Sequence, residues 1–381
     1  MSKAQGVNVA IIGVGLVGTS VISQLTTVPS LASSVHIVAL QNSKKALLAG
    51  LGESRIAISS QQDWQSKLSS SSTAALPLPQ LTSHLASLTK STGRHTVVVD
   101  NTSNDAVASF YPSFLGAGLS VVTPNKKAFS SSLDLYKAIL ESSAATASNP
   151  RPALLYGEST VGAGLPVIST LHDILATGDE VTRIEGVLSG TLSYIFNEFS
   201  TPSGAPQSFS KIVKVAKDNG YTEPHPGDDL SGSDVSRKLT ILSRMIPSLL
   251  EKLPKGYESV PTHSLTPAPL ADVKSGDEYV ARLPEFDADF QSLNEAAKAE
   301  GYVLRYVGVI DAVSGEIKAS LEKYPFSHPF ASSLSGSDNI FQFKTKRYSN
   351  RPLLVQGPGA GADVTAMGVV ADLIKVAERR G

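Results

Sequence analysis

The sequence predicts an α/β protein in which a doubly wound parallel sheet comes first and a mixed or antiparallel α+β part follows. In the first part, short apolar runs alternate with segments of helical spacing, as in parallel strands joined by crossover helices. In the second part, longer segments alternate apolar and polar residues, and two of them meet across Ser314-Gly315 as a hairpin. Strands are predicted at 7–12, 35–40, 96–100, 119–123, 184–188, 303–310, 317–323 and 340–348.

The composition excludes several classes of function. Lys and Arg number 33 against 34 Asp and Glu, so the net charge of -1 gives no electrostatic reason for a nucleic-acid or membrane partner. The absence of cysteine excludes disulfides, thiolate metal sites and any mechanism through a protein thioester. Glycines break the apolar run 7–12 too early for a signal peptide or a membrane span, which predicts a cytoplasmic protein.

A glycine-rich turn stands between the first predicted strand and a helical segment. Gly13 would make the tight turn, Gly15 would let backbone approach a pyrophosphate, and Gly18 would let helix and strand pack closely. Free N–H groups at the start of the helix would add a phosphate site. The motif predicts a Rossmann-type dinucleotide-binding domain, with cofactor contacts from Gly13, Val14, Gly15, Leu16, Val17 and Gly18.

The residues after the second strand indicate which dinucleotide is bound. NAD-specific folds usually place an acidic residue here for the ribose 2′-hydroxyl, whereas this chain has polar residues followed by Lys44 and Lys45. Two lysines can hold a 2′-phosphate, so the sequence favours NADP with NAD tolerated. The alternative is that both lysines are ordinary solvated residues.

Polar segments follow the third and fourth strands, at 100–103 and 123–129. In a doubly wound sheet, ligands bind outside the carboxyl ends of the strands, where both segments fall. Lys126 or Lys127 can therefore face the nicotinamide. For an isolated pair of lysines, a solvated turn is the default interpretation.

A further cluster of charged residues opens a predicted helix, for which Ser233 fits the N-cap. Asp234 and Lys238 are four residues apart and therefore share one side of this helix. A surface ion pair worth ~0.3–0.5 kcal/mol is one interpretation. The other is a partly enclosed pair, because Ile241 and Met245 continue the same face.

The domain borders follow from shifts in composition. The serine- and alanine-rich stretch 142–150 separates a dinucleotide-binding domain at 1–152 from a substrate-binding and dimerisation domain at 153–350. The segment 351–381 again has strand, glycine turn and helix form, and we expect it to return to the first domain. Proline-rich and helical stretches within 254–301 indicate an excursion from the second domain.

The order of these motifs resembles the homoserine dehydrogenase family, most closely its short fungal and monofunctional members. The matching segments are 100–102, 123–129, 158–166, 186–196 and 220–224. The resemblance implies NAD(P)H-dependent, reversible reduction of L-aspartate 4-semialdehyde to L-homoserine, in the biosynthesis of threonine, methionine and isoleucine. It also implies a homodimer formed through the second-domain sheet.

The resemblance implies a role for each matched residue. Lys238 would be the proton donor at the aldehyde oxygen, and Lys126 would lie near the nicotinamide and the reacting carbon. A lysine ammonium stabilises the developing alkoxide, and burial or a second positive charge makes its proton easier to lose. Glu223 and Asp234 would bind the substrate's ammonium group, and further substrate contacts are expected from Asp229, Thr191 and Tyr221. Further cofactor contacts are expected from Asn101, Thr102, Ser103, Lys126, Gly220 and Gly361.

The resemblance also implies a monovalent cation, expected to be sodium, held mostly by backbone oxygens of Glu158, Val161, Ala163 and Leu165. The glycines within 161–164 would let carbonyl groups turn inward as hard oxygen ligands. Without the family, this loop reads equally well as a tight turn.

Two competing functions share the nucleotide fold. An acylating aspartate semialdehyde dehydrogenase needs a cysteine nucleophile, which this chain lacks. A non-catalytic NAD(P)-binding redox regulator would not need Glu223, Asp234 and Lys238. His225 departs from the family, where an acidic residue is common, and its proline neighbours indicate an exposed turn rather than a general acid.

Overall fold

The parallel sheet of the first part has six strands. The computed structural model describes residues 6–381, and the chain divides into one unit ending at Gly164 with Gly361–Gly381 added, and a second unit at Leu165–Ala360. The strands of the first unit are β1 (Val7–Ile12), β2 (Val35–Gln41), β3 (Ala46–Leu48), β4 (Thr96–Asp100), β5 (Ser120–Val122) and β6 (Leu155–Tyr156). Their order is β3-β2-β1-β4-β5-β6, and only the pairing of β2 with β3 is antiparallel. Every residue of β1 and β4 is buried, as expected of a parallel sheet covered on both faces.

The helices of the first unit flank this sheet. They are α1 (Leu16–Thr27), α2 (Pro29–Ser34), α3 (Gln61–Ser70), α4 (Leu78–Thr92), α5 (Asp105–Ser109), α6 (Tyr111–Gly116), α7 (Lys127–Ser130), α8 (Leu133–Ser143) and, from the end of the chain, the helix Ala362–Arg380. The terminal helix packs against α1, so the last residues belong to the unit that contains the glycine turn. Within residues 6–381, none of the helices combines the length and apolar character needed to cross a bilayer.

The second unit is built on a five-stranded antiparallel sheet. Its strands are β7 (Val181–Val187), β8 (Tyr302–Asp311), β9 (Glu316–Pro325), β10 (Asp338–Thr345) and β11 (Leu353–Pro358), in the order β11-β10-β7-β8-β9. Its helices are α9 (Ile168–Ala176), α10 (Gly190–Phe199), α11 (Phe209–Asp218), α12 (Pro226–Leu230), α13 (Ser233–Met245), α14 (Gly276–Arg282), α15 (Asp287–Ala299) and α16 (Pro329–Ser332); the terminal helix is therefore α17. The predicted fold class is confirmed.

The borders between the units lie later in the chain than composition indicated. Strand β6 pairs with β5, which carries the first unit past residue 152 to Gly164. Strand β11 pairs with β10, so the second unit extends past residue 350 to Ala360, and only helix α17 returns to the first unit. Strand pairing over long sequence distances decides both borders, and composition does not report it.

Helix α13 starts differently from the sequence prediction. Gly232, with φ +76°, is the N-cap, and Ser233 is the first helical residue. A Cβ at Gly232 would lie 1.9 Å from the Tyr306 hydroxyl, so the chain can turn into the helix here only without a side chain. In the excursion before β8, residues 261–263 pair with the edge strand β9, where the His263 N–H donates to the Ala319 carbonyl at 2.8 Å.

Candidate active site

The glycine turn after β1 brings α1 close to the strand end. Gly13 has φ +88°, and its N–H donates to the Gln41 carbonyl at 2.9 Å. A Cβ at Gly18 would lie 2.1 Å from the Gly13 carbonyl oxygen, so only glycine permits this approach. A Cβ at Gly15 would meet nothing within 4 Å. Glycine is therefore required at Gly13 by the positive φ and at Gly18 by the close backbone contact, whereas a side chain at Gly15 would meet open space.

The surroundings of this turn fit a dinucleotide. Helix α1 has Gly15 as its N-cap and no side-chain cap, and Leu16 at its first position is 84% exposed. Such a helix start offers N–H groups to a phosphate. Beside it, the side-chain nitrogen and oxygen of Asn101 are buried without a hydrogen-bond partner. Buried amides are normally satisfied, so this unpaired group fits a site completed by a ligand.

The segment after β2 is a tight turn made by one side chain. The Asn42 Oδ1 accepts the backbone N–H groups of Lys44 and Lys45, both at 2.8 Å. The Lys45 ammonium donates to the Ser69 carbonyl, which holds it on the body of the unit. Lys44 is exposed, so it is the better placed of the two lysines for a 2′-phosphate.

The loop after β5 distinguishes the two adjacent lysines. The Lys127 ammonium forms an ion pair with Asp105 at 2.5 Å. Lys126 is half-buried at the start of α7, and its carbonyl accepts the Phe129 and Ser130 N–H groups. This ion pair engages Lys127 with Asp105, while Lys126 is the N-cap residue of α7.

Lys238 lies in the second unit and is 5% exposed. Its ammonium donates to the Leu188 carbonyl at 2.6 Å and pairs with the Asp234 carboxylate at 2.7 Å. The pair is therefore partly enclosed, as the second interpretation predicted, because Lys238 is buried while the Asp234 side chain is 42% exposed. Asn339, which sequence reasoning missed, is fully buried and donates to the same Leu188 carbonyl at 2.8 Å. It follows Asp338 at the start of β10, where polar and apolar residues mix, so no local pattern marked it.

Acidic side chains cluster near Lys238. Asp229 accepts the Glu223 N–H at 2.8 Å. Burial raises the pKa of Asp229 to about 6, and the nearby Glu223 and Asp234 carboxylates add to the rise. A cationic group beside Asp229 would lower its pKa and favour the ionised carboxylate, so this acid is suited to binding an ammonium group. The structure thus brings the Glu223, Asp229 and Asp234 carboxylates near one another, and their contacts with substrate stay a prediction.

Gly220, predicted to contact the cofactor, and Thr191 and Tyr221, predicted to contact the substrate, hold the segment that carries Glu223. Gly220 has φ +72° and follows Asn219, the C-cap of helix α11, and its N–H donates to the Lys217 carbonyl at 2.9 Å. The Thr191 hydroxyl donates to the Tyr221 carbonyl at 2.6 Å. The Tyr221 ring is 48% exposed, so it can meet a ligand while its backbone stays anchored.

The loop predicted to hold a cation has an unusual backbone. Gly162 and Ala163 both adopt positive φ, at +79° and +54°, and Ala163 is the one non-glycine residue to do so within residues 6–381. Consecutive left-handed residues turn neighbouring carbonyls toward one side, which fits oxygen ligation. Glu158 is 5% exposed, Val161 is fully buried, and Leu165 is the first residue of the second unit.

Two further charged residues adjoin Glu158. The Asp372 carboxylate accepts the Glu158 N–H at 2.8 Å, and the Lys375 ammonium lies 2.8 Å from Asp372 and 3.8 Å from Glu158. Sequence reasoning missed both, because they lie on α17, more than two hundred residues away along the chain. Gly361, the N-cap of α17, has φ +114°. Within the described part of the chain, no group of three or more His, Cys, Asp or Glu forms a metal site.

His225 differs from its predicted environment. It is half-buried, its Nδ1 accepts the Gly227 N–H at 3.1 Å, and its Nε2 is 2.9 Å from the Val273 carbonyl. A neutral ring with its proton on Nε2 satisfies both contacts. His225 therefore caps α12 and anchors the segment before α14.

Comparisons with known proteins agree with this architecture. The family model described as homoserine dehydrogenase, NAD binding domain, matches residues 13–149, and the model described as homoserine dehydrogenase matches 166–374. The homoserine dehydrogenase of Saccharomyces cerevisiae is 46% identical over 373 residues, covering 98% of each chain. A crystal structure of a Candida auris protein of unknown function has a TM-score of 0.88 and 45% identity, and the match covers 98% of this chain and 99% of that one.

A more distant solved structure is a hyperthermophilic archaeal homoserine dehydrogenase in complex with NADPH. It has a TM-score of 0.67, 20% identity and coverage of 99% of each chain, and it shows the fold.

The glycine turn on a parallel sheet, with a separate antiparallel unit carrying a buried lysine and acids, defines a two-domain NAD(P)-dependent oxidoreductase. The chain belongs to the homoserine dehydrogenase family and is similar over nearly its full length to the fungal enzymes of that family. Its reaction is the reversible, NAD(P)H-dependent reduction of L-aspartate 4-semialdehyde to L-homoserine. Nothing in these comparisons supports a non-catalytic redox regulator.

Proposed function

We propose that Lys238 is the proton donor of this reaction and that Glu223, Asp229 and Asp234 bind the substrate's ammonium group. The observation that carries the proposal is the buried Lys238 ammonium, held between the Leu188 carbonyl and the Asp234 carboxylate. Bound NAD(P)H supplies the hydride. The Lys238 ammonium stabilises the oxyanion that develops on the aldehyde and gives it a proton. Lys126, at the carboxyl edge of the parallel sheet, is proposed to lie beside the nicotinamide.

The cofactor contacts are proposed for the glycine turn, for Asn101–Ser103, and for Gly220 and Gly361. The buried, unpaired amide of Asn101 beside an uncapped helix start supports the first two. NADP is proposed as the preferred cofactor, because an exposed Lys44 and no carboxylate follow β2. The NADPH complex of the archaeal relative is consistent with this preference.

Reversing the charge at Lys44 should change cofactor preference. We expect Lys44→Glu to lower the NADPH-to-NADH ratio of kcat/KM at least ~10-fold, because a carboxylate repels the 2′-phosphate and accepts from a ribose hydroxyl. Steady-state kinetics with each cofactor measure the ratio. The matched control is Lys90→Glu, at an exposed lysine of α4 in the same unit. An unchanged ratio in Lys44→Glu would show that this lysine does not read the phosphate.

The raised pKa of Asp229 predicts a pH dependence of substrate binding. Only the ionised carboxylate attracts the ammonium group, so the KM for homoserine should rise up to ~10-fold per pH unit as pH falls below about 6. We expect Asp229→Asn to have a high KM that is nearly independent of pH between 5 and 8. A wild-type KM that stays flat across this range would contradict the role.

The raised pKa of Asp229 also makes the free energy of unfolding depend on pH. The folded pKa of Asp229, about 6, lies above the ordinary aspartate value of 3.8, so between these pH values the folded state keeps a proton that the unfolded chain has lost. Its contribution to stability therefore falls as pH rises from about 4 to about 6 and is constant above. Urea unfolding should show Asp229→Asn more stable than wild type by about 1–2 kcal/mol at pH 7 and equal to it at pH 4.

A monovalent cation, sodium, is proposed at Glu158, Val161, Ala163 and Leu165. The support is the left-handed pair at Gly162 and Ala163 next to a buried Glu158 carboxylate. We expect Tm to be higher in sodium chloride than in choline chloride at the same ionic strength, because a ligand that binds the folded state stabilises it. Equal Tm values in the two salts would rule out the cation site.

A homodimer through the second sheet and a cytoplasmic location stay predictions. Light scattering tests the homodimer.

A further inference from the structure

The end of strand β4 carries a buried carboxylate to which no role has been assigned. Asp100 is fully buried, and each of its oxygens accepts two hydrogen bonds. The Oδ1 accepts the Thr102 N–H at 2.8 Å and the Thr102 hydroxyl at 2.7 Å. The Oδ2 accepts the Tyr111 hydroxyl at 2.6 Å and the Asn125 amide at 3.0 Å.

These contacts favour the charged form of the acid. Burial raises the pKa of Asp100, while the hydrogen bonds from Tyr111, Thr102 and Asn125 oppose the rise. The Thr102 N–H and the Asn125 side-chain NH2 can only donate, so they need an accepting oxygen. Hydrogen bonds donated to a carboxylate are stronger than those between neutral groups. The cluster is therefore a strong local tether inside the first unit.

The tether joins the two loops at the carboxyl edge of the sheet. On one side, Thr102 lies against the glycine turn, since a Cβ at Gly13 would be 2.8 Å from the Thr102 methyl carbon. The Asn101 N–H donates to the Ile12 carbonyl at 2.8 Å. The Asp100 carboxylate therefore holds the segment that is proposed to contact the cofactor.

On the other side, the tether holds the loop that contains Lys126. The Thr123 hydroxyl donates to the Asp100 carbonyl at 2.7 Å and accepts the Asn125 N–H at 2.8 Å. The Asn125 Oδ1 in turn accepts the Lys127 N–H at 3.1 Å. Lys126 thus lies between Asn125, which is bonded to the Asp100 carboxylate, and Lys127, whose N–H is bonded to the Asn125 side chain.

We propose that Asp100 is a positioning residue for hydride transfer, which holds the Asn101–Ser103 and Asn125–Lys127 segments at a fixed separation. The inference rests on the proposed function in placing the nicotinamide at these segments. A misplacement of about 1 Å at a reacting centre can cost ~10²-fold in rate. A carboxylate shared by both loops limits such movement. Asp100 touches neither substrate nor cofactor in this role and acts through Asn101, Asn125 and Lys126.

The test is a single-turnover measurement with the full-length protein, NADPH and aspartate semialdehyde. The amplitude of NADPH oxidation counts competent sites, and the rate constant reports how well each competent site is aligned. A residue that only stabilises the fold changes the amplitude, whereas a positioning residue changes the rate constant. Two variants are informative: Asp100→Asn, which replaces one accepting oxygen by a donor, and Tyr111→Phe, which removes one hydroxyl at nearly constant volume.

We expect the rate constant to fall at least ~10-fold in Asp100→Asn and ~3-fold or more in Tyr111→Phe. The matched control is Thr96→Val, at the other end of the same strand, where a fully buried hydroxyl bonds Thr89 at 2.7 Å and Asn8 at 3.3 Å. It should keep the wild-type rate constant even if its amplitude falls.

Wild-type rate constants in both variants, with only the amplitude lowered, would overturn the inference. If Asp100→Asn does not fold, Tyr111→Phe decides alone. Failure of the proposed function is a separate result: wild-type protein would then show no NADPH oxidation with this substrate, or Lys238→Met would keep the wild-type rate constant.

Discussion

Lys238→Met should lower kcat by ~10²–10⁴-fold while leaving NADPH affinity unchanged. The size follows from the usual contribution of a general acid, to which the loss of a positive charge beside the developing oxyanion adds. The side chain is buried against Leu188 and Asp234 in the second unit, away from the glycine turn in sequence and in domain. The measurements are initial rates in both directions and NADPH binding by fluorescence titration.

Two further variants make the Lys238 result specific. Lys255→Met removes an exposed lysine of the same unit and should leave kcat unchanged. Lys238→Arg keeps the charge but does not release a proton near neutral pH, so it should recover little activity if proton donation is the main role. Turnover near the wild-type level in Lys238→Met would exclude the assignment.

Gly18→Ala should weaken NADPH binding and destabilise the first unit. The added Cβ would lie 2.1 Å from the Gly13 carbonyl oxygen, which is backbone and cannot rotate away. Helix α1 must then move from β1, at a cost typical of overpacking, about 1–3 kcal/mol. The same movement carries the α1 N-terminus away from the phosphate position. We expect a lower free energy of unfolding in urea and a KM for NADPH raised at least ~10-fold.

Gly116→Ala is the matched control for Gly18→Ala. This glycine lies in α6 of the same unit, and a Cβ there meets nothing within 4 Å. Alanine in a helix is more favourable than glycine, so stability should be equal or slightly higher, with cofactor kinetics unchanged. Equal effects of the two substitutions would mean that the close contact of α1 with the turn has no bearing on cofactor binding.

Several features of the site were predictable because they are local. The glycine spacing predicts a strand, a turn and a helix, and the structure contains all three at Val7–Ile12 and Leu16–Thr27. The i,i+4 spacing of Asp234 and Lys238 places their side chains within reach, and they pair at 2.7 Å. The N-cap of α13 could not be predicted locally, because the contact with Tyr306 that requires Gly232 comes from a strand distant in sequence.

The sequence by itself determined the fold class, the family and the chemistry: alternating patterns specify the two kinds of sheet, and a chain without cysteine cannot form a thioester. Only the tertiary structure decided that Lys238 is buried, because the Leu188 carbonyl it meets is 50 residues away. It likewise decided that Asp100 joins Thr102, Tyr111 and Asn125, and that Asp372 and Lys375 stand beside Glu158. Periodicity reports which face of an element is apolar, whereas hydrogen bonds between distant segments depend on how the sheets and helices pack.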